Sequence, residues 1–412
     1  MKALRTFLML GLGPVLVVLG GLPALLKTGQ VDLQSWTWPA LMLMPVALLL
    51  SLKRGWPYAL WAGAGSLGTV LIFDVLAASS YPAIGDVGGL TLVAVLAVVA
   101  GICLPRRKWT GLTLCAAALL SCWLAREAPL PETPSPRPKL AVIGALPLFW
   151  KEGEAGFGAR SDAPLITLLR RRFDVQPVDS PLGPAMRDAN ALLLAQPRVF
   201  SPAELVVLDN WVRNGGHVLL LADPLLRWPS SLPLGDRRRP PAVSMIGPLL
   251  NHWGLALLPP VAVAEERRIL EDGRVLTTMG SSGFALRPGT SCHVEEEGLA
   301  ARCAIGRGNA VLVADADLID DRLWLADAAA PLDARHWSAD SPGFVIEALD
   351  GGMVEGRRWL RSAADLVMAL RWSILVGIGW AILGSVFLGW FYRDNRVRDI
   401  SSHPPWEAVE PG

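Results

Sequence analysis

NALLLAQPRVFSPAELVVLDNWVRNGGHVLLLADP, residues 190–224, reads as strand, helix and strand, and decides the fold of the soluble part of the chain. Residues 190–196, NALLLAQ, read as a strand. Ser201 suits a helix N-cap, Pro202 the first helical position, and Glu204 completes a capping box. Leu205, Leu208 and Val212 form the helix's apolar stripe, and Gly215–Gly216 stops it. Residues 217–222 are a second apolar strand, closed by Asp223 and Pro224. Strands apolar almost throughout, alternating with a helix, indicate a parallel sheet covered on both faces.

The same pattern extends both ways. Upstream, residues 139–148 read as a buried strand, 164–173 as a helix with a basic face, and 174–179 as a short strand. Downstream, 225–241 is a loop rich in Pro, Arg and Ser. Residues 244–253 read as a helix closed by Gly254, with strand-like pieces up to Ile305. Residues 310–314 are another buried strand, followed by Asp315 and Asp317. A short helix is expected over 342–349, and a helix over 355–370 running into a last apolar segment. The layout is α/β, three-layered, flavodoxin-like or glutamine-amidotransferase-like, with a mostly parallel sheet.

The rest of the chain is greasy. The protein of 412 residues is 52% hydrophobic and 18% charged, against roughly 25% charged in soluble domains. A helix needs ~20 mainly apolar residues to cross a bilayer. Residues 7–26, 36–52, 58–78, 88–104, 110–125 and 370–391 are the six candidate spans, an α-helical transmembrane bundle. The first has the basic start of a signal peptide, but its apolar run is long for one, so an uncleaved anchor is expected. Tyr58, Tyr81, Tyr392 and several Trp, among them Trp36, Trp38, Trp56, Trp109, Trp123, Trp372 and Trp390, fall near span edges, where such rings sit at headgroup level.

The organisation expected is five spans in 1–128, a Pro-rich linker over 129–138, the α/β domain over 139–352, the sixth span within 353–392, and a tail over 393–412. Lys2, Arg5, Lys53, Arg54, Arg106, Arg107, Lys108, Arg393, Arg396 and Arg398 all fall on one side. By the positive-inside rule that side is the cytoplasm, so both termini are cytoplasmic and the α/β domain is extracytoplasmic. In a Gram-negative bacterium the protein would sit in the inner membrane with this domain in the periplasm. Arg357, Arg358, Arg361 and Arg371 crowd the outer approach to the sixth span, against the rule. Asp74, inside the third span near its outer end, reads as a hydrated interface residue, with a proton or transport role as the sharper alternative.

Cys292 and Cys303 flank a hairpin turning near Glu297–Gly298 and fall opposite each other, which in an oxidising compartment favours a disulfide. Cys103, Cys115 and Cys122 lie in spans as small apolar residues. Lys+Arg 38 against Asp+Glu 37 leaves a net charge of +1 and no electrostatic footprint for nucleic acid. A P-loop, a G-x-S-x-G elbow, a nucleophilic Cys turn, a C-x-x-C and zinc spacing are all missing from the sequence. His217, His252, His293 and His336 show no ligand spacing. No cofactor and no metal are expected.

Carboxylates gather instead at strand ends: Asp223, then Asp315 and Asp317, with Glu152 and Arg160 after the first strand. The crevice beyond strand C-termini is where open α/β sheets take ligands. Asp at such ends also caps helices and forms turns.

Three stretches carry a resemblance: Ser201 to Pro224 as quoted, Leu249-Leu250…Trp253-Gly254-Leu255, and Ile305-Gly-Arg-Gly308…Val311-Leu-Val-Ala-Asp315-Ala-Asp317. Over roughly 138–350 the chain resembles the auxiliary-component family of ABC transport systems, the gliding-motility type, although five spans before the domain depart from the commonest arrangement. The resemblance implies a degenerate amidotransferase-like domain without catalytic residues, and as partners a permease, a separate ATPase subunit and membrane lipid. The function expected is that of a non-enzymatic accessory component binding a partner or envelope ligand. The alternative is a membrane-anchored envelope hydrolase or glycan-modifying enzyme using Asp315 and Asp317. A self-pairing scaffold is a third reading.

Overall fold

The computed structural model describes residues 2–125, 136–150, 152, 161–260, 264–352 and 356–401. Most of the linker and the end of the tail, from residue 402, therefore lie outside the described residues. The chain divides into two compact units, Met1–Glu127 with Arg358–Gly412, and Ala128–Arg357.

The first unit is helical: α1 (Lys2–Thr28), α2 (Thr37–Ala40), α3 (Leu43–Lys53), α4 (Trp56–Ala78), α5 (Ile84–Cys103), α6 (Lys108–Leu124) and a last helix, Ala363–Ser401. Among the described residues, 4 helices are long and apolar enough to cross a membrane, or 5 if the bent pair Leu33–Ala40 and Leu43–Lys53 is one span. α6 has only 17 residues. The expectation of six full spans is thus met by four or five helices and one short apolar helix. The second candidate span bends by 42° at its break, and Pro45 supplies the reason. Pro45 has no N–H for the Leu41 carbonyl, which instead takes a shorter-range bond from Met44 N–H at 3.0 Å.

α4 and the last helix share one device. Each carries Trp-x-x-x-Gly, Trp61 with Gly65 and Trp380 with Gly384. The two indoles stack with centroids 4.7 Å apart. Trp61 Nε1–H donates to the Trp380 carbonyl at 3.0 Å, and Trp380 Nε1–H to the Trp61 carbonyl at 2.9 Å. Each ring lies where the other helix has glycine; a Cβ on Gly65 or Gly384 would come within 2.3 Å of the opposing indole. Small residues that let helices approach this closely are typical of packing in a bilayer.

Two aromatics expected at edges are interior. Trp36 is 0% exposed, packed on Gly21 and Phe73, and Tyr58 is buried. Trp38, Trp56, Tyr81, Trp109, Trp123, Trp372 and Trp390 are exposed.

Asp74 is also corrected: it is fully buried, and its Oδ2 lies 2.7 Å from Arg358 Nη1. Arg358 is one of the basic residues that seemed misplaced beside the last span. Its Nη2 and Nε also donate to the Ser80 carbonyl at 2.7 Å and to Ser80 Oγ at 3.2 Å. The helix expected over 355–370 starts only at Ala363. Before it, backbone pairs with the segment after α1: Val31 N–H donates to the Arg358 carbonyl at 2.8 Å and Leu360 N–H to Gly29 at 2.9 Å. Ser362 Oγ then accepts from Asp365 N–H at 3.1 Å, which starts the helix.

The second unit is α/β. Its strands are β1 (Lys139–Gly144), β2 (Asp174–Pro177), β3 (Ala191–Ala195), β4 (His217–Leu221), β5 (Leu255–Leu257), β6 (Glu265–Ile269), β7 (Val275–Met279), β8 (Phe284–Leu286), β9 (Cys292–Glu295), β10 (Ala300–Ile305) and β11 (Gly308–Val313). Its helices are α7 (Pro164–Arg172), α8 (Pro184–Arg187), α9 (Pro202–Arg213), α10 (Gly247–His252), α11 (Asp321–Trp324) and α12 (Ser341–Asp350). The main sheet runs β2-β1-β3-β4-β11-β10-β9. It is parallel from β2 to β11; β10 runs antiparallel to β11, and β9 antiparallel to β10. The sheet is therefore mixed, mostly parallel.

Side chains alternate across it as the pleat requires. Leu140, Val142, Leu193, Leu219 and Val311 share one core with α7 and α12, while Ala141, Ile143, Leu192, Leu194, Val218 and Leu312 share another with α9 and α10. The capping box at Ser201 and Glu204 is present. Cys292 and Cys303 are register partners joined by a disulfide. The helix expected over 244–253 is shorter, Gly247–His252.

Candidate functional site

β4 and β11 are parallel neighbours with Leu221 paired to Val313. Asp223 and Asp315 each stand two residues beyond that pair, so register alone brings them to one level past the strand ends. Asp317 follows on the same turn. One carboxylate oxygen from each of the three lies within 4.8 Å of the others. All three side chains are buried, at 0%, 0% and 1% exposed.

Burial is possible because backbone donors converge on them. Asp223 Oδ1 accepts from Leu225 N–H at 2.7 Å and Oδ2 from Ala316 N–H at 3.0 Å. Asp315 Oδ2 accepts from Met279 N–H at 2.8 Å and Oδ1 from Leu318 N–H at 2.9 Å. Asp317 Oδ2 accepts from Arg227 N–H at 2.7 Å; its Oδ1 is buried and receives no hydrogen bond. The cluster thus ties together the loop after β4, the end of β7 and the turn after β11.

The same arrangement disfavours ionisation. Burial raises Asp223 to about 6, although hydrogen bonds from Leu225 and Ala316 oppose the rise. Burial raises Asp317 to about 7, with the Asp223 charge adding to it. Asp315, fully buried beside both, is pushed well above the usual carboxylate range by burial and then by its two neighbours. Carboxylates this close cannot all ionise unless a cation joins them. The groups can share protons, or they can offer a hard cation oxygen ligands, a role for which Asp317 Oδ1 is the free donor atom.

The other expected site residues are not brought into this cluster. Glu152 holds the 225–241 loop instead, accepting from Ser230 Oγ and Ser231 N–H, both at 2.7 Å. Burial opposes its ionisation, but the Ser230 and Ser231 hydrogen bonds win and keep it below the ordinary value. Arg160 lies outside the described residues.

Gln196, not singled out from the sequence, stands one residue past β3, one register step short of the two aspartates. Its Oε1 accepts from Asp223 N–H at 2.9 Å, and its Nε2 donates to the Asp223 carbonyl at 3.1 Å. A polar residue closing the apolar run ALLLA was the available signal; the structure holds it at φ 44°.

No curated protein matches the chain. Among solved structures, an exo-β-1,4-mannosidase from Opitutaceae bacterium strain TAV5 has 12% identity and a TM-score of 0.28, over 53% of this chain and 35% of that one. A GH42 β-galactosidase, Gan42B from G. stearothermophilus, has 11% identity and a TM-score of 0.28, over 55% and 38%. This chain thus spans little more than a third of either enzyme. The cytoplasmic protein STM1381 from Salmonella typhimurium LT2 has 14% identity and a TM-score of 0.28, over 48% and 98%. Likenesses of that size carry no argument about activity. Residues 137–269 match the ABC-transport auxiliary family, described as an ABC-type uncharacterized transport system, and over that stretch the resemblance carried by the sequence is shown.

Proposed function

We propose that this chain is a non-enzymatic accessory component of an ABC-type transport system, with its apolar helices in the bilayer and its α/β unit outside the cytoplasm. The family match over 137–269 carries the reading. Several features support the membrane part. Large apolar side chains such as Val367, Trp372, Ile374, Leu383 and Val386 are exposed on the last helix, a surface that suits lipid and not water. The disulfide supports an oxidising compartment for the α/β unit. The ion pair with Asp74 gives Arg358 a structural reason to stand beside the last span despite the positive-inside rule.

The burial of the carboxylates supports the non-enzymatic reading over that of an envelope hydrolase. Asp223 and Asp315 spend both oxygens on backbone N–H groups, and none of the three faces an open cleft. In this role the α/β unit binds a partner protein or an envelope ligand, while a separate ATPase supplies the energy. Purification of the full chain from its native membrane in mild detergent tests this. A P-loop ATPase and a permease are expected in the same complex. Recovery of the chain alone, from cells that express such subunits, would contradict the proposal.

A further inference from the structure

A cleft of about 340 Å³ opens in the α/β unit between the C-terminal end of α9, the end of α10, the segment between β8 and β9, and the end of β10. Its lining carries the cations Arg213 and Arg287 beside His252, and no carboxylate lines it. The Arg287 guanidinium has no hydrogen bond or ion pair to any described residue. Arg213 is held from behind: its Nε donates to Asp209 Oδ2 at 2.7 Å and its Nη2 to His252 Nε2 at 3.2 Å.

The walls are fixed without any ligand. Thr290 Oγ1 donates to the Trp253 carbonyl at 2.8 Å. Gly254 and Gly306 take φ values of 82° and 62°, and a Cβ on either would come within 2.7 Å of Thr290 or of the Arg213 backbone. The Cys292–Cys303 disulfide pins the strand that supplies Ala304 and Ile305 to the one that Ser291 leads into. A preformed cleft loses little entropy when it binds. Its volume falls in the range of small-molecule sites.

From this geometry we infer that the cleft binds a phosphate group carried on a small molecule of about the size of a sugar. The lining offers guanidinium forks and the Asn251 amide but no anionic acceptor. A phosphate presents several strong acceptor oxygens to such donors, and a guanidinium meets two of them at once. The inference names a ligand class for the binding role proposed above and rests on that reading for its use in the cell.

The test is calorimetric titration of the full chain in detergent with inorganic phosphate and with a hexose monophosphate, in the absence of permease and ATPase. Hexose monophosphate is expected to bind more tightly than inorganic phosphate. Arg287→Ala is expected to weaken it at least tenfold, with Arg287→Lys falling between. Arg287 is exposed, so an unchanged melting temperature will confirm that the variant is folded. Absence of binding by either probe, or equal binding by Arg287→Ala, would overturn the inference. Neither result would touch the accessory role, which is read from co-purification.

Discussion

Replacing Arg358 with alanine should cost the helical unit about 3–5 kcal/mol, the usual penalty for removing one partner of a buried ion pair. Asp74 is 0% exposed among α4 and its neighbours, and Arg358 is its cation at 2.7 Å. Without the guanidinium, the Asp74 carboxylate must stay buried and unpaired or take up a proton, and both are costly. The double variant Arg358→Ala/Asp74→Asn should recover much of the loss, because the stranded charge is then gone. Thermal unfolding of the purified chain in detergent distinguishes the cases. A loss of under about 1 kcal/mol for Arg358→Ala, the range of an exposed pair, would mean that Asp74 is hydrated.

The second large effect is a pH dependence of the α/β unit opposite to that of ordinary acid denaturation. Asp223 and Asp317 titrate near 6 and near 7 in the folded chain, against an ordinary 3.8. Between about pH 4 and pH 7 the folded state therefore binds more protons than the unfolded one, and stability falls as pH rises. The stabilisation is complete below about pH 4 and lost once the pH passes the folded values. For Asp317 alone the shift corresponds to about 4 kcal/mol.

Amide exchange in β4 and β11, corrected for its intrinsic pH dependence, should show greater protection at pH 5 than at pH 8. Asp317→Asn should flatten that profile and raise protection at pH 8. Its amide keeps an acceptor for Arg227 N–H and places a donor where the orphaned Oδ1 now stands. A divalent cation that raised protection at pH 8 in the parent chain, but not in Asp317→Asn, would make the cluster a metal centre instead.

Much of this architecture was legible locally. Ser201, Pro202, Glu204, Gly215 and Gly216 mark a helix by chemistry within a few residues, and the structure has it at Pro202–Arg213. The facing of Cys292 and Cys303 follows from counting about one turn. The strand-end aspartates were visible as well, because apolar runs stop at them.

What escaped depends on which elements meet. Nothing in residues 217–223 says that β4 pairs with β11, so the shared level of Asp223 and Asp315 appears only with the register. Trp61 and Trp380 are 319 residues apart in sequence, and their repeated Trp-x-x-x-Gly spacing means little until the two helices are known to pack. Arg358 looked like a breach of a charge rule because its partner, Asp74, lies on a distant span. The late start of the last helix has the same origin: backbone at 358–360 is captured by 29–31, a pairing that no helix propensity reveals.

Everything proposed here depends on the α/β unit lying beyond the membrane while apolar helices cross it. Leu234 is 87% exposed in that unit, and Leu234→Cys can be treated in intact cells with a membrane-impermeant maleimide, with the parent chain as background. Labelling without lysis is the expected result; labelling that appears only after the cells are opened would place the unit in the cytosol and contradict the account.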